Sequence, residues 1–363
     1  MIDVFTYRQT ESLARQSGLS WRAMQAQLPH VFNSSGFPVK IEAIGDLKMI
    51  VDTMQENRFE PYMRELGGLS DDEMVLFVAA LADYMRWYTG LFGGGVLTVP
   101  LSTMLAHYAL YRKIARFGQM SRILEVGPGC GYLSFYLQKD ARVTSYCQVE
   151  VTESFYLLQS LLNHNLYGES FVDHAKTGLE LKNIEILTPS LLSGLYDSEQ
   201  SAVLDYRPAV RCEHFPWWRL GDLLERQFDV ITSNANFNEM SEPAFITYAT
   251  LFSQILAPGG MILAQCLGGG PLPVERIVRV FESLGFAVAM LTDVVAGNRL
   301  TVKNAVLIKD GHPSYTAQPR PLQQLPQMSS EYWLYNMFDS SQSGTMRSRE
   351  EVLTALRQTL GGG

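Results

Sequence analysis

Two hydrophobic rhythms divide the chain near residue 120. Before it, apolar residues recur three and four apart, as in Met74, Val75, Phe77, Val78, Leu81, Ala82 and Met85, and again in Leu101, Leu105, Tyr108 and Ala109. That spacing lines one face of a helix, so 1–118 is predicted to be a helical N-terminal region. Asp71 and Asp72 stand where the positive end of a helix dipole favours acids. The stretch LFGGGVLTVP at 91–100 breaks the helices, either as a flexible connector or as a loop folded over a site.

Beyond 120, short apolar runs alternate with amphipathic segments. Strands are predicted at 122–126, 143–149, 211–215, 228–232 and 261–266, with a closing pair at 286–291 and 305–309. Helices are predicted at 132–138, through Phe155, Leu158, Leu161 and Leu162, at 243–256 and at 274–284. Such alternation predicts an α/β fold, a doubly wound and mainly parallel sheet covered on both faces. The predicted organisation is therefore a helical region 1–118, an α/β domain 119–311 and a C-terminal extension 312–363. Residues 168–209 are too long and too rich in Gly, Ser and Pro for an ordinary connection and read as an insertion. Past 312 the chain is Pro- and Gln-rich, then helical at 349–360.

Composition narrows the partners. The 363 residues, 47% hydrophobic and 18% charged, can build a sizeable core. A formal net charge of −8 repels phosphate backbones, so nucleic acid is not an expected partner. Cys130, Cys147, Cys212 and Cys266 have no paired spacing and read as buried free thiols, which points to a reducing compartment. The start lacks a basic segment followed by an apolar one, and no apolar run is long enough to span a bilayer. A soluble, cytoplasmic protein without a membrane partner is expected.

The sharpest local signal is ILEVGPGCGYLSFYL at 123–137, a predicted strand, a tight turn and a predicted helix. A phosphate-cradling loop needs Lys then Ser or Thr after its last glycine, and Gly131 is followed by Tyr132 and Leu133. The dinucleotide fingerprint spaces its glycines two and then three apart; Gly127, Gly129 and Gly131, alternating with Pro128 and Cys130, are spaced two and two. Glu125 stands just before the turn. A carboxylate aimed there would repel a pyrophosphate but accept from an ammonium group, so a cationic ligand without phosphates is favoured. Glu150 ends the next strand, where a carboxylate can take both hydroxyls of a ribose; taken alone it would read as a solvated strand end.

Together with QVEVTES, FDVITSN and ILAPGGMILAQC, this turn resembles the class I S-adenosylmethionine-dependent methyltransferases, over roughly 120–310 and in sequential order. The resemblance implies a Rossmann-like methyltransferase core with S-adenosyl-L-methionine as cofactor. It implies that Gly127, Gly129 and Gly131 let the backbone approach the cofactor, with Glu125 near its amino end and Glu150 on its ribose. Adenine would lie after the third strand of that pattern, where the chain offers Phe215, Pro216, Trp217 and Trp218. The insertion at 168–209 departs from the family pattern there. With the nucleoside contacts inside 120–310, the helical region is expected to shape the acceptor pocket or to make oligomer contacts, a homodimer being the assembly considered.

The acceptor loop is SNANFNEMSEP at 233–243. Asn234, Ala235, Asn236 and Phe237 keep the Asn and aromatic of the amino-methylating members but lack their two prolines. The FNEM segment, behind a long helical region, instead resembles sugar O-methyltransferases. That resemblance implies a small-molecule acceptor, a sugar or sugar nucleotide. Glu239 is the first candidate base, with Asn236 and Asn238 as orienting amides, and its structural alternative is to cap the helix that follows. His107 is the second candidate base. His164, His174 and His214 are too scattered to suggest a metal, and none is expected. Other readings are N- or O-methylation of another metabolite or a protein, and a catalytically inactive cofactor-binding partner protein.

Overall fold

The computed structural model describes residues 4–17, 39–93, 99–116, 120–175, 210–268, 270–296, 300–315, 327–329 and 344–361. Most of the insertion, from 176 to 209, and residues 94–98 of the 91–100 stretch lie outside the described residues. Five helices come first: α1 (Val4–Ser17), α2 (Ile44–Thr53), α3 (Phe59–Leu66), α4 (Asp71–Phe92) and α5 (Leu101–Ala115). The start of α4 is fixed by a reciprocal cap. Ser70 Oγ accepts from Glu73 N–H, Glu73 accepts from Ser70 N–H, and Asp71 and Asp72 fill the first turn.

The α/β part then runs β1 (Arg122–Val126), α6 (Ser134–Leu137), β2 (Ser145–Glu150), α7 (Glu153–Tyr167), β3 (Phe171–Asp173) and β4 (Cys212–Pro216). A 3₁₀ segment, Trp217–Glu225, leads into β5 (Phe228–Asn234), α8 (Glu242–Ile255), β6 (Leu256–Leu267), α9 (Val274–Ser283), β7 (Phe286–Ala296) and β8 (Leu300–Lys309). A short β9 (Gln327–Ser329) and α10 (Arg349–Gly361) complete the described chain. The sheet order is β3-β4-β2-β1-β5-β6-β8-β7-β9. Strands β1 to β6 run parallel, while β8 inserts antiparallel between β6 and β7. This is a doubly wound, mainly parallel α/β sheet. The chain winds outward from β1 through β2 to the edge strand β3, fills the place between them with β4, then crosses to β5 on the other side of β1. That reversal leaves a crevice at the carboxyl ends of β1 and β5, where open sheets of this kind bind ligands.

Side chains one residue apart leave opposite faces of each strand. Ile123, Tyr146 and Val230 join the core on one face; Leu124, Cys147 and Ile231 join the core on the other. The second core is closed by α8, α9 and the 3₁₀ segment. The first contains residues of every helix from α1 to α7, with Val352 and Leu356 of α10. The helical N-terminal region therefore shares a core with the sheet. Among the described residues no helix is long and apolar enough to cross a membrane.

Candidate functional site

The turn after β1 is built by glycines with positive φ. Gly127 (φ 64°) donates its N–H to Val149 O at 2.9 Å, which holds the turn against β2. A Cβ there would lie 2.2 Å from the Asn236 amide, so only glycine fits. Gly129 (φ 59°) differs: the nearest atom to a Cβ would be Met54 Cε at 3.8 Å, and its backbone opens to a cavity. Gly131 packs under Leu162 of α7. Gln159, also on α7, donates to Gly129 O at 2.6 Å and to Glu150 Oε2 at 3.0 Å, coupling the turn to the end of β2.

Two buried carboxylates face this end of the sheet without a cation among the described residues. Glu125 takes a short hydrogen bond from the Tyr146 hydroxyl, which in turn accepts from Gln148 Nε2 at 2.6 Å. Burial pushes the Glu125 pKa up to about 7, although the bonds from Tyr146 and Gln148 act against it and the charge of Glu150 adds to it. Glu150 accepts from the N–H groups of Val151 and Thr152 at 2.8 and 3.0 Å and from Gln159; burial still raises its pKa. Glu239, half-buried after β5, is pushed up to about 7 by burial and by the Glu150 charge. Burial at the carboxyl ends of β1, β2 and β5 thus disfavours the ionised carboxylates, and a positively charged ligand would restore their charge.

A cavity of about 400 Å³ opens over the turn. Its floor is Glu125, Gly127, Pro128, Gly129, Cys130 and Asn234. Its opposite wall comes from the helical region, with Gln55, Arg58, Tyr62, Glu65, Thr103, His107 and Lys113. Lys113 Nζ and Glu65 Oε1 form a buried ion pair at 2.7 Å, and Arg58 bonds Glu56 at 2.8 Å and the Tyr62 hydroxyl at 2.5 Å. His107 Nδ1 lies 2.8 Å from Thr103 O, one helical turn back, which places the proton on Nδ1 and leaves Nε2 as an acceptor. Burial lowers the His107 pKa and the Thr103 bond opposes it, so the ring is neutral at pH 7. Cys130 and Cys266 also line the cavity, but burial pushes their thiols up to about 12 and about 11, so neither is a nucleophile.

Of the residues singled out from sequence, His107, Glu125, Gly127, Pro128, Gly129 and Asn234 meet on this one cavity. The others stand outside its lining. Asn236 bridges strand ends, its Nδ2 donating to Val126 O, Gly127 O and Asn234 O at 3.2, 3.0 and 2.9 Å. Asn238 is buried and donates to Gly268 O at 3.1 Å. Glu239 does not cap α8; Ser241 does, accepting from Ala244 N–H. Trp217 is buried, donating to Glu11 Oε1 at 3.2 Å, and Phe215 lies in the second core. His214 is buried beside Ser160, and His174 bonds Glu213.

Several residues of the site carry no local signal in the sequence. Gln159 is a polar position between buried leucines, and Tyr146 and Gln148 look like ordinary strand residues. Ala235 (φ 62°) and Cys266 (φ 55°) hold left-handed backbone at the ends of β5 and β6, both on the cavity. Strain of that kind collects at binding sites. Ala235 N–H donates to Gln265 O and Cys266 N–H to Asn304 Oδ1, each at 3.0 Å.

Fold and site together define an α/β protein with a ligand crevice at the switch point of a doubly wound sheet. No family model matches the chain, and no curated protein matches its sequence. Solved structures similar to it include the 4+2 cyclase SpnF, at 11% identity, covering 67% of this chain and 97% of that one, with a TM-score of 0.36. Magnesium protoporphyrin IX methyltransferase from Synechocystis PCC 6803 with bound SAH is 10% identical, covering 63% and 93%, with a TM-score of 0.34. StiE O-MT residues 961–1257 are 9% identical, covering 62% and 84%, with a TM-score of 0.37.

Proposed function

We propose that this protein transfers the methyl group of S-adenosyl-L-methionine to a hydroxyl of a small molecule, with a sugar or sugar nucleotide as the first acceptor class. The observation that carries the reading is Glu125: a buried carboxylate without a cationic partner among the described residues, on the floor of a cavity whose adjoining backbone is bare glycine. That donor set fits a ligand with an ammonium group and no phosphate. When bound, S-adenosylmethionine supplies a methyl group activated by a sulfonium. Glu125 holds the ammonium end, Gly129 lets the ligand approach the backbone, and Glu150 accepts from the ribose hydroxyls.

His107 is the proposed base. It faces the cavity from α5, neutral, with Nε2 free of any partner among the described residues. During methyl transfer to the acceptor oxygen, His107 Nε2 would take the hydroxyl proton. The Glu65–Lys113 pair and the Asn234, Gln265 and Asn304 amides on the cavity suit a hydroxylated acceptor. They offer donors and acceptors side by side with little net charge.

The test is methyl transfer from labelled cofactor to a panel of sugars and sugar nucleotides. Label in the acceptor fraction, with S-adenosylhomocysteine formed in equal amount, supports the reading; binding without turnover on any hydroxylated acceptor ends it. The pH profile of kcat at saturating substrates identifies the base. With His107 the acidic limb lies below 6.5, and with Glu239 it lies near 7. His107→Gln is expected to lower kcat by about 10²–10⁴ while Glu239→Gln leaves it near normal. The reverse pattern moves the assignment to Glu239.

A further inference from the structure

The carboxyl end of β2 has a neighbour from the far end of the sequence. Helix α1 is fastened there by two side-chain contacts. Arg8 grips Glu153, at the start of α7, with Nε at 3.0 Å and Nη2 at 2.7 Å, and Glu153 also accepts from Ile41 N–H at 3.0 Å. Glu11 accepts from Trp217 Nε1 at 3.2 Å. Between these contacts the Tyr7 ring sits 5.1 Å from Tyr156 and 5.0 Å, edge-on, from Trp218.

Packing accounts for the ring but not for its hydroxyl. Tyr7 is fully buried, and its Oη has no hydrogen-bond partner among the described residues. The Arg8–Glu153 pair and the Tyr7–Tyr156 contact set α1 against the first turn of α7, which begins three residues after Glu150. Gln159, which donates to Glu150 at 3.0 Å, has a second orphan: its Oε1 is buried without a partner among the described residues. Buried polar atoms in folded proteins are rarely left unbonded, because each gives up its water for nothing. Two such atoms around the end of β2 are accounted for when a polyhydroxylated ligand completes them.

We infer that α1 forms a wall of the nucleoside end of the site and that the Tyr7 hydroxyl hydrogen-bonds the ribose held by Glu150. The inference rests on the cofactor reading above and extends it, because it brings the helical N-terminal region into nucleoside binding. Tyr156 and Trp218 then set the position of the Tyr7 ring, and Arg8 with Glu153 holds α1 in place.

Tyr7→Phe keeps the ring and removes only the oxygen. Calorimetric titration with S-adenosylhomocysteine is expected to show affinity about three- to tenfold weaker than wild type, the worth of one hydrogen bond. The ligand-free melting temperature should not fall, since an unbonded hydroxyl is lost from the core. In the wild-type protein, hydrogen exchange of peptides covering 4–17 should slow when S-adenosylhomocysteine is added. Wild-type binding with equal affinity in Tyr7→Phe, or with unchanged exchange over 4–17, overturns the role of Tyr7 and α1 and leaves the cofactor reading standing. A wild-type protein that does not bind S-adenosylhomocysteine removes both.

Discussion

Glu125 works against the fold at neutral pH. Its folded pKa of about 7 lies above the ordinary 4.5, so between those values the folded chain keeps a proton that the unfolded chain releases. Stability is therefore full below about 4.5 and falls as pH rises through 7, by about 3 kcal/mol in all. Glu125→Gln removes that burden while keeping an acceptor for Tyr146. Denaturant melts of the ligand-free protein should find the variant about 2 kcal/mol more stable than wild type at pH 8, with no difference near pH 4. A variant less stable at pH 8 would show that the carboxylate is satisfied and not awaiting a cation. At this scale the sequence was half legible. Glu125, the three glycines and Glu150 could be picked out because a turn and two strand ends have local signatures. Gln159, Tyr146 and Tyr7 could not, because each earns its place only through a contact far away in the chain.

Among elements, the glycine turn is where geometry makes the clearest demand. Gly127 and Gly129 share positive φ, which costs about 1–2 kcal/mol for any other residue. Only Gly127 also faces a neighbour, the Asn236 amide that ties β1 to β5. Gly127→Ala should therefore lose at least about 1 kcal/mol more than Gly129→Ala in thermal or denaturant melts. Equal losses would mean that Asn236 moves aside at no cost and that its bridge is dispensable. The same contrast explains which elements the sequence revealed. Strands β1, β2, β4 and β5 were anticipated to within two residues at each end, because each is a short segment with apolar, aromatic or β-branched residues between helical or polar stretches. The β7–β8 pair extends well past 286–291 and 305–309, since Thr292, Asp293, Lys303 and Asn304 interrupt the apolar pattern. Strands β3 and β9, three residues each, went unseen because they are too short to carry a period.

Across the whole molecule, the division at residue 118 is a division of texture more than of packing. Tyr84 and Tyr108 from the helical region meet Tyr132, Phe135 and Tyr136 from the α/β part in one aromatic cluster. Tyr136 Oη donates to Met104 O at 2.8 Å within it. Among the described residues the helical region has no core apart from the one it shares with the sheet, while the α/β part has a second core of its own. Calorimetry of the full chain should give one unfolding transition that takes the helices and sheet together. A first transition that melts only the helices would contradict this and restore two independent units. The helical periodicity was plain in the sequence; that its apolar faces serve the sheet was not, since periodicity names a buried face but not its partner.

The most direct test of the central claim is the proton count on binding. Titration of the wild-type protein with S-adenosylhomocysteine at several pH values, each in two buffers of different ionisation enthalpy, measures protons released per ligand bound. If Glu125 is the seat of the ligand's ammonium group, about one proton leaves at pH 6 and almost none at pH 8. Affinity should rise with pH between those values and then level off, and Glu125→Gln should abolish the release. Tight binding with no proton release at pH 6, or the same release in Glu125→Gln, would contradict the account.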